Sequence, residues 1–207
     1  MNPNIHDMAV RLLEAAENRQ RFIVALAGPP GAGKSFLSEW LCRELNERQA
    51  GIAAVVPMDG YHLDNAILEP LGQLPIKGAP ETFDPDGLRH DLERIRRADR
   101  SVAVPVFDRP LDLARAGGRL IASTHRIVIV EGNYLLLDRD PWRELHSLFD
   151  MTLLLEVADE VLEARLIQRW LGMGQDHEGA IDKARNKDML NARLIKRESV
   201  APNLYWR

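Results

Sequence analysis

Eight consecutive residues, Gly28-Pro29-Pro30-Gly31-Ala32-Gly33-Lys34-Ser35, carry the most specific chemistry in the chain. They fit Gly-x-x-x-x-Gly-Lys-Ser, a spacing in which the backbone N–H groups of a glycine-rich turn converge on phosphate oxygens. An apolar run, Phe22 to Ala27, leads into the motif, and a helix-like segment, Phe36 to Arg48, leaves it. In that order, strand, loop and helix aim the unsatisfied first-turn amides of the helix at the same point. Lys34 adds a mobile positive charge near the β- and γ-phosphates of a nucleotide, and Ser35 adds a hydroxyl for the Mg²⁺ that accompanies it. Gly28 to Ser35, with Phe36 in the first turn and Arg165 and Arg169 from a later helix, are the expected nucleotide-binding set.

Two carboxylates stand at the ends of apolar runs. Asp59 follows Gly51 to Met58, and Glu131 follows Ile127 to Val130. In a parallel sheet flanked by helices, residues just past the carboxyl end of a strand face the ligand crevice. With a phosphate loop in the same crevice, one carboxylate would organise Mg²⁺ with Ser35 and the other would take the proton of an attacking hydroxyl. Spacing alone leaves both assignments open for Asp59 and Glu131, and a plain helix-capping turn is the alternative for each.

Cationic and aromatic residues complete the candidate set. Arg165 and Arg169 lie four apart on an expected helix, so their guanidinium groups share one face. They precede Gly172-Met173-Gly174-Gln175-Asp176-His177, a break that suits a mobile lid able to carry arginines onto transferring phosphates. Lys183, Arg185 and Lys187 beyond the break read as surface charge, with Arg185 able to reach inward. Tyr61, His62, Phe83, Asp84 and Arg109 lie in polar, proline- and glycine-punctuated segments where an acceptor molecule would bind. For Arg109 the alternative is a salt bridge to Asp108 or Asp112.

These residues need a scaffold that brings strand ends together. Arg21 to Ala27, Gly51 to Met58, Ile127 to Val130 and Met151 to Val157 are apolar without alternation, as expected for strands covered on both faces. Helical patterns separate them: Phe36 to Arg48, a segment started by Asp84-Pro85-Asp86 that runs to Ala98, a short helix over Pro141 to Phe149, Asp159 to Leu171, and Ala180 to Ile195. Strands alternating with helices predict a three-layer α/β/α domain with a mainly parallel sheet. Leu63 to Phe83 reads as a long loop. Val102 to Phe107 reads as a short strand, and Gly117-Gly118 as a hairpin turn. The expected organisation is a single domain over 1–207, with an N-terminal helix in 1–20, an acceptor-binding region in 60–125 inserted between core strands, and a lid at about 169–186.

Composition narrows the partners. The 207 residues are 45% apolar, enough for a sizeable core. The net charge of -4, with no long run of one sign, points away from nucleic acid and anionic membranes. A single cysteine, Cys42, excludes an internal disulfide and a cysteine-rich metal site. No apolar run approaches membrane-spanning length, and the first twenty residues lack the core of a signal peptide, so a soluble, cytoplasmic protein is expected. A homodimer is left open.

Four segments in order, Gly28 to Ser35, Met58-Asp59-Gly60-Tyr61-His62-Leu63, Lys77-Gly78-Ala79-Pro80-Glu81-Thr82-Phe83-Asp84 and Val130-Glu131-Gly132-Asn133-Tyr134-Leu135-Leu136, resemble the phosphoribulokinase and uridine kinase family of P-loop kinases. Within it the chain looks most like small bacterial proteins provisionally named fructose transport system kinases, with bacterial pantothenate kinase more distant. The resemblance runs from about Arg21 to about Asn203. It implies that Asp59 is the general base toward the acceptor hydroxyl, that Glu131 ends the Walker B strand and helps organise Mg²⁺, and that Arg169 lies among the lid arginines. The nucleoside-holding histidine and arginine of uridine kinases have no clear match after Asp108, which favours a sugar or polyol acceptor.

The expected activity is therefore transfer of the γ-phosphoryl group of ATP to a hydroxyl of a small polar metabolite, a sugar such as fructose, with pantothenate or a nucleoside as alternatives. Catalytic roles fall to Asp59, Lys34 and Arg169. A nucleotide-dependent switch without an acceptor is the rival from another class. Asp84-Pro85-Asp86-Gly87 and Asn186-Lys187-Asp188 lend it some colour, although no apolar strand precedes the former and the latter lacks a spacer.

Overall fold

The computed structural model describes residues 4–207. In chain order its elements are α1 (Ile5–Ala15), β1 (Phe22–Ala27), α2 (Lys34–Arg48), β2 (Ala53–Pro57), α3 (Asn65–Leu68), α4 (Pro85–Arg97), β3 (Val102–Asp108), β4 (Leu113–Ile121) and β5 (Ile127–Gly132). They continue with β6 (Met151–Leu155), α5 (Asp159–Gly172), α6 (His177–Lys183), α7 (Met189–Glu198) and β7 (Leu204–Trp206). Of the segment 1–20 expected to be helical, 1–3 lie outside the described residues and α1 ends at Ala15.

Five strands form one parallel sheet in the order β2-β5-β1-β6-β7. Side chains alternate across a strand, so β1 feeds two cores. Phe22, Val24 and Leu26 pack with Met8 and Leu12 of α1, Leu41 and Leu45 of α2, and Leu162 and Leu166 of α5. Ile23, Ala25 and Ala27 pack with Leu88, Leu92 and Ile95 of α4 and with Trp142. All six residues of β1 and of β5 are buried, which explains why neither strand alternates in sequence. The result is the expected α/β/α arrangement of three layers.

Several local expectations are corrected. The hairpin turn is not at Gly117-Gly118. It lies at Arg109 to Asp112, where the Asp112 N–H donates to the Arg109 carbonyl at 3.3 Å and Asp112 adopts φ 52°. The two glycines instead sit in a bulge of β4: Val104 pairs with Arg119 while Val106 pairs with Arg115. The stretch from Leu63 to Phe83 is broken by α3 and by 3₁₀ turns at Leu74–Ile76 and Pro80–Thr82, and Trp142–Leu148 is likewise 3₁₀. The last long helix is two helices joined by a π turn at Ala184–Asp188. β7, which pairs with β6, was not expected; its three residues carry no readable periodicity.

Candidate active site

The crevice follows from the strand order. β5 lies between β2 and β1, and Glu131 is in register with Leu26 on one side and Pro57 on the other. Its carboxylate thus emerges between the strand that feeds the glycine-rich loop and the strand that delivers Asp59. α2 begins on Gly33, at φ 93°, a left-handed conformation costly for any residue with a Cβ. Gly33 has no side chain to cap the helix, so the amides of Lys34, Ser35 and Phe36 stay open toward the loop. Phe36 turns its ring outward, 73% exposed and against Trp40, which leaves only its backbone to the site.

Ser35 Oγ donates to Glu131 Oε1 at 3.0 Å. Burial pushes the Glu131 carboxyl up to about 7, the nearby Asp59 carboxylate adds to the rise, and the Lys34 ammonium opposes it. Lys34 is only 8% exposed; its ammonium donates to Asn133 Oδ1 at 2.6 Å and to the Pro29 carbonyl at 3.0 Å. Burial lowers its proton affinity, with Glu131 and Asp59 working against that and Arg169 and Arg109 with it. Lys34, Asp59, Glu131, Arg109 and Arg169 therefore share one electrostatic neighbourhood.

Pro57 ends β2, and a 3₁₀ turn, Met58–Tyr61, presents Asp59. Arg109, from the tip of the β3–β4 hairpin, donates to Asp59 Oδ2 at 2.8 Å, so its carboxylate partner is across the cleft and not Asp108 or Asp112. Lys77 holds that tip: its ammonium reaches Asn65 Oδ1 at 2.6 Å, the Asp112 carbonyl at 2.7 Å and the Asp112 carboxylate at 3.0 Å. His62 stacks between Phe83 and Phe107 and donates from Nδ1 to the Asp59 carbonyl at 2.8 Å, which leaves Nε2 as an acceptor. Burial depresses its protonation, so the ring is neutral near pH 7.

Tyr61 and Asp84 face elsewhere. The Tyr61 hydroxyl donates to Asp91 Oδ2 of α4 at 2.8 Å, and Asp84 caps α4 by accepting from the Gly87 N–H at 2.8 Å. Both line a cavity of about 580 Å³ behind the 3₁₀ turn, with His90, Asp91 and Arg94, and neither Asp59 nor Glu131 reaches it. Phe83 is buried beneath His62 and against Tyr134 and Trp142. An aromatic at 83 shapes the wall from behind.

On α5, Arg165 donates to the Gly31 and Ala32 carbonyls at 3.3 and 3.5 Å, bracing the outside of the glycine-rich loop. Arg169, one turn on, lies 6.0 Å from the Trp170 ring. Trp170 donates to Asp188 of the π turn at 2.7 Å, while the Lys183 and Lys187 ammonium groups sit 4.6 and 5.6 Å from its ring. Arg185 is tied to Glu163 at 2.7 Å and points away from inward reach. Lys187 is half-buried, with its ammonium disfavoured by burial, and so is not plain surface charge. Sequence reasoning passed over Asn133 and Lys77. Asn133 carried the same signal as Glu131, a polar residue just past an apolar strand, whereas Lys77, although it opens one of the four motifs, gave no sign of its partners, which come from distant loops.

No family model matches the chain. Individual proteins do. A Schizosaccharomyces pombe protein provisionally named a uridine kinase is 34% identical, over 94% of this chain and 86% of its own length. The chain belongs to the uridine kinase and phosphoribulokinase family of P-loop kinases. A crystal structure from Silicibacter sp. TM1040, provisionally named a fructose transport system kinase, shares 43% identity with this P-loop kinase and superimposes with a TM-score of 0.93 over 99% of this chain and all of that one. An uncharacterised Escherichia coli K12 protein, YggC, is 35% identical over 83% of this chain and 72% of its own length. The kinase is thus an ATP-using phosphotransferase. Among the described residues no helix is long and apolar enough to cross a membrane.

Proposed function

We propose that this kinase transfers the γ-phosphoryl group of ATP to a hydroxyl of a small sugar or polyol, acting in the cytoplasm. The single observation that carries the reading is the convergence of Lys34, the Ser35–Glu131 pair and Asp59 at the carboxyl ends of three adjacent parallel strands. Asp59 takes the proton of the acceptor hydroxyl. Arg109, bound to the same carboxylate at 2.8 Å, holds it turned into the cleft. Lys34 and the open amides of Gly33 to Phe36 hold the phosphates, and Arg169 meets the charge that develops on the transferred group. The hairpin tip held by Lys77, the Nε2 acceptor of neutral His62 and the Arg109 guanidinium offer a polyhydroxylated acceptor both donors and acceptors.

The donor set fits Mg²⁺: a buried carboxylate and a hydroxyl, both hard oxygen ligands, already 3.0 Å apart. Among the described residues no cluster of three His, Cys, Asp or Glu side chains forms a metal site, so Ser35 and Glu131 would hold the ion together with phosphate oxygens and water, with Asp59 linked through water. The bound ion would neutralise phosphate charge. A desolvated Glu131 whose ionisation is held back until a cation arrives is consistent with that use.

A coupled ADP-release screen over sugars, polyols, nucleosides and pantothenate tests the reading, with Asp59→Asn as control. A sugar or polyol that releases ADP from the wild type and not from the variant is the expected hit. Turnover of pantothenate or a nucleoside alone would replace the acceptor class, and turnover by Asp59→Asn would remove the base.

A further inference from the structure

Asn133 lies two residues beyond Glu131, past the end of β5. The register that pairs Ala27 of β1 with Gly132 of β5 brings it opposite the start of the glycine-rich loop. Its Oδ1 receives the Lys34 ammonium at 2.6 Å across 99 residues of sequence, a shorter bond than that from Lys34 to Pro29. An ammonium has three protons to give, and here two go to uncharged oxygens. The carboxylate best placed to compete, Glu131, accepts from Ser35 through Oε1 instead. With Oδ1 on Lys34, the Asn133 amide keeps two N–H donors with no hydrogen-bond partner among the described residues.

A buried ammonium in a cleft with two carboxylates would ordinarily bind one of them directly, and phosphate would then have to displace a full ion pair. An amide oxygen holds the same cation in place more weakly and releases it more easily. We infer that Asn133 is a positioning residue of the phosphoryl-transfer site: it parks the Lys34 ammonium on a neutral acceptor, away from Glu131, where an incoming polyphosphate can take it over. The released amide then offers its N–H groups to the acceptor hydroxyl. This inference rests on the reading of Lys34 as a phosphate ligand.

A double-mutant cycle on ATP binding, read by titration calorimetry with the acceptor absent, tests it. Lys34→Ala and Asn133→Ala are each expected to weaken ATP about ten-fold or more, while the double variant is no weaker than Lys34→Ala alone. Binding of AMP, which lacks the phosphates that Lys34 reaches, should be unchanged in all three. Asn133→Asp, which offers Lys34 a carboxylate, should weaken ATP further than Asn133→Ala. Should Asn133→Ala not fold, Asn133→Ser, neutral and too short to reach Lys34, and its combination with Lys34→Ala carry the same cycle. Additive losses, or an Asn133 variant that binds ATP like the wild type, would overturn the inference. A normal ATP affinity in Lys34→Ala would instead overturn the role of Lys34 itself.

Discussion

Replacing Glu131 by glutamine should make the nucleotide-free protein more stable while removing its activity, and only above a definable pH. The carboxyl is 5% exposed, and its ionisation is displaced from an ordinary 4.5 to about 7. At about 1.4 kcal/mol for each tenfold change in proton affinity, ionising it costs the folded protein about 3 kcal/mol more than the unfolded chain. The folded state holds the proton more tightly, so this contribution to stability is whole below pH 4.5, declines as pH rises, and is gone above about pH 7. Glutamine keeps the shape and can still accept from Ser35, but has nothing to ionise. The displacement to about 7 already includes the opposing Lys34 ammonium, so the gain at about pH 8 is of the same order, about 3 kcal/mol. Urea unfolding followed by tryptophan fluorescence, in chelator and without nucleotide, reads the difference between variant and wild type directly. That difference should be near zero at pH 4.5, open as pH rises toward about 7, and then stay level. A difference that does not change with pH, or a variant less stable than wild type at about pH 8, would refute the argument that desolvation governs this carboxyl.

Three further outcomes are expected. Asp59→Asn should lower turnover about 10²- to 10⁴-fold with ATP affinity retained; its partner Arg109 is more than half exposed, so unfolding free energy should change by less than about 1 kcal/mol. Arg169→Ala should cost about 10²-fold in kcat with little change in melting temperature, since no hydrogen bond or ion pair ties that side chain to the described residues; stopped kinetics with intact thermal unfolding checks it. Gly132→Ala would place a Cβ 2.5 Å from Met58 Cβ and 2.6 Å from its Sδ, a collision of about 1–3 kcal/mol at the joint of β5 and the Asp59 turn, measurable as a lowered denaturation midpoint.

The glycine-rich loop was readable from the chain because the placement of its backbone amides needs only local features: a strand before, glycines within, a helix after. The parallel sheet was readable for a similar reason, since strands covered on both faces must be apolar throughout. The hairpin turn was misplaced because Gly117-Gly118 and Arg109-Pro110-Leu111-Asp112 both have turn chemistry, and only the pairing of Val106 with Arg115 selects between them. Tyr61 shares a segment with Asp59 and Asp84 ends the segment from Lys77, but α4 claims the first through Asp91 and is capped by the second.

Local pattern thus sufficed for the glycine-rich loop and the two strand-end carboxylates, since each is encoded in contiguous residues, and the four motifs in order carried the resemblance to the family. Which groups meet was decided by the order β2-β5-β1 and by the hairpin that folds back over it. Lys34 on Asn133, Ser35 on Glu131 and Arg109 on Asp59 join residues 99, 96 and 50 positions apart, and contacts at such separation arise only when the sheet assembles.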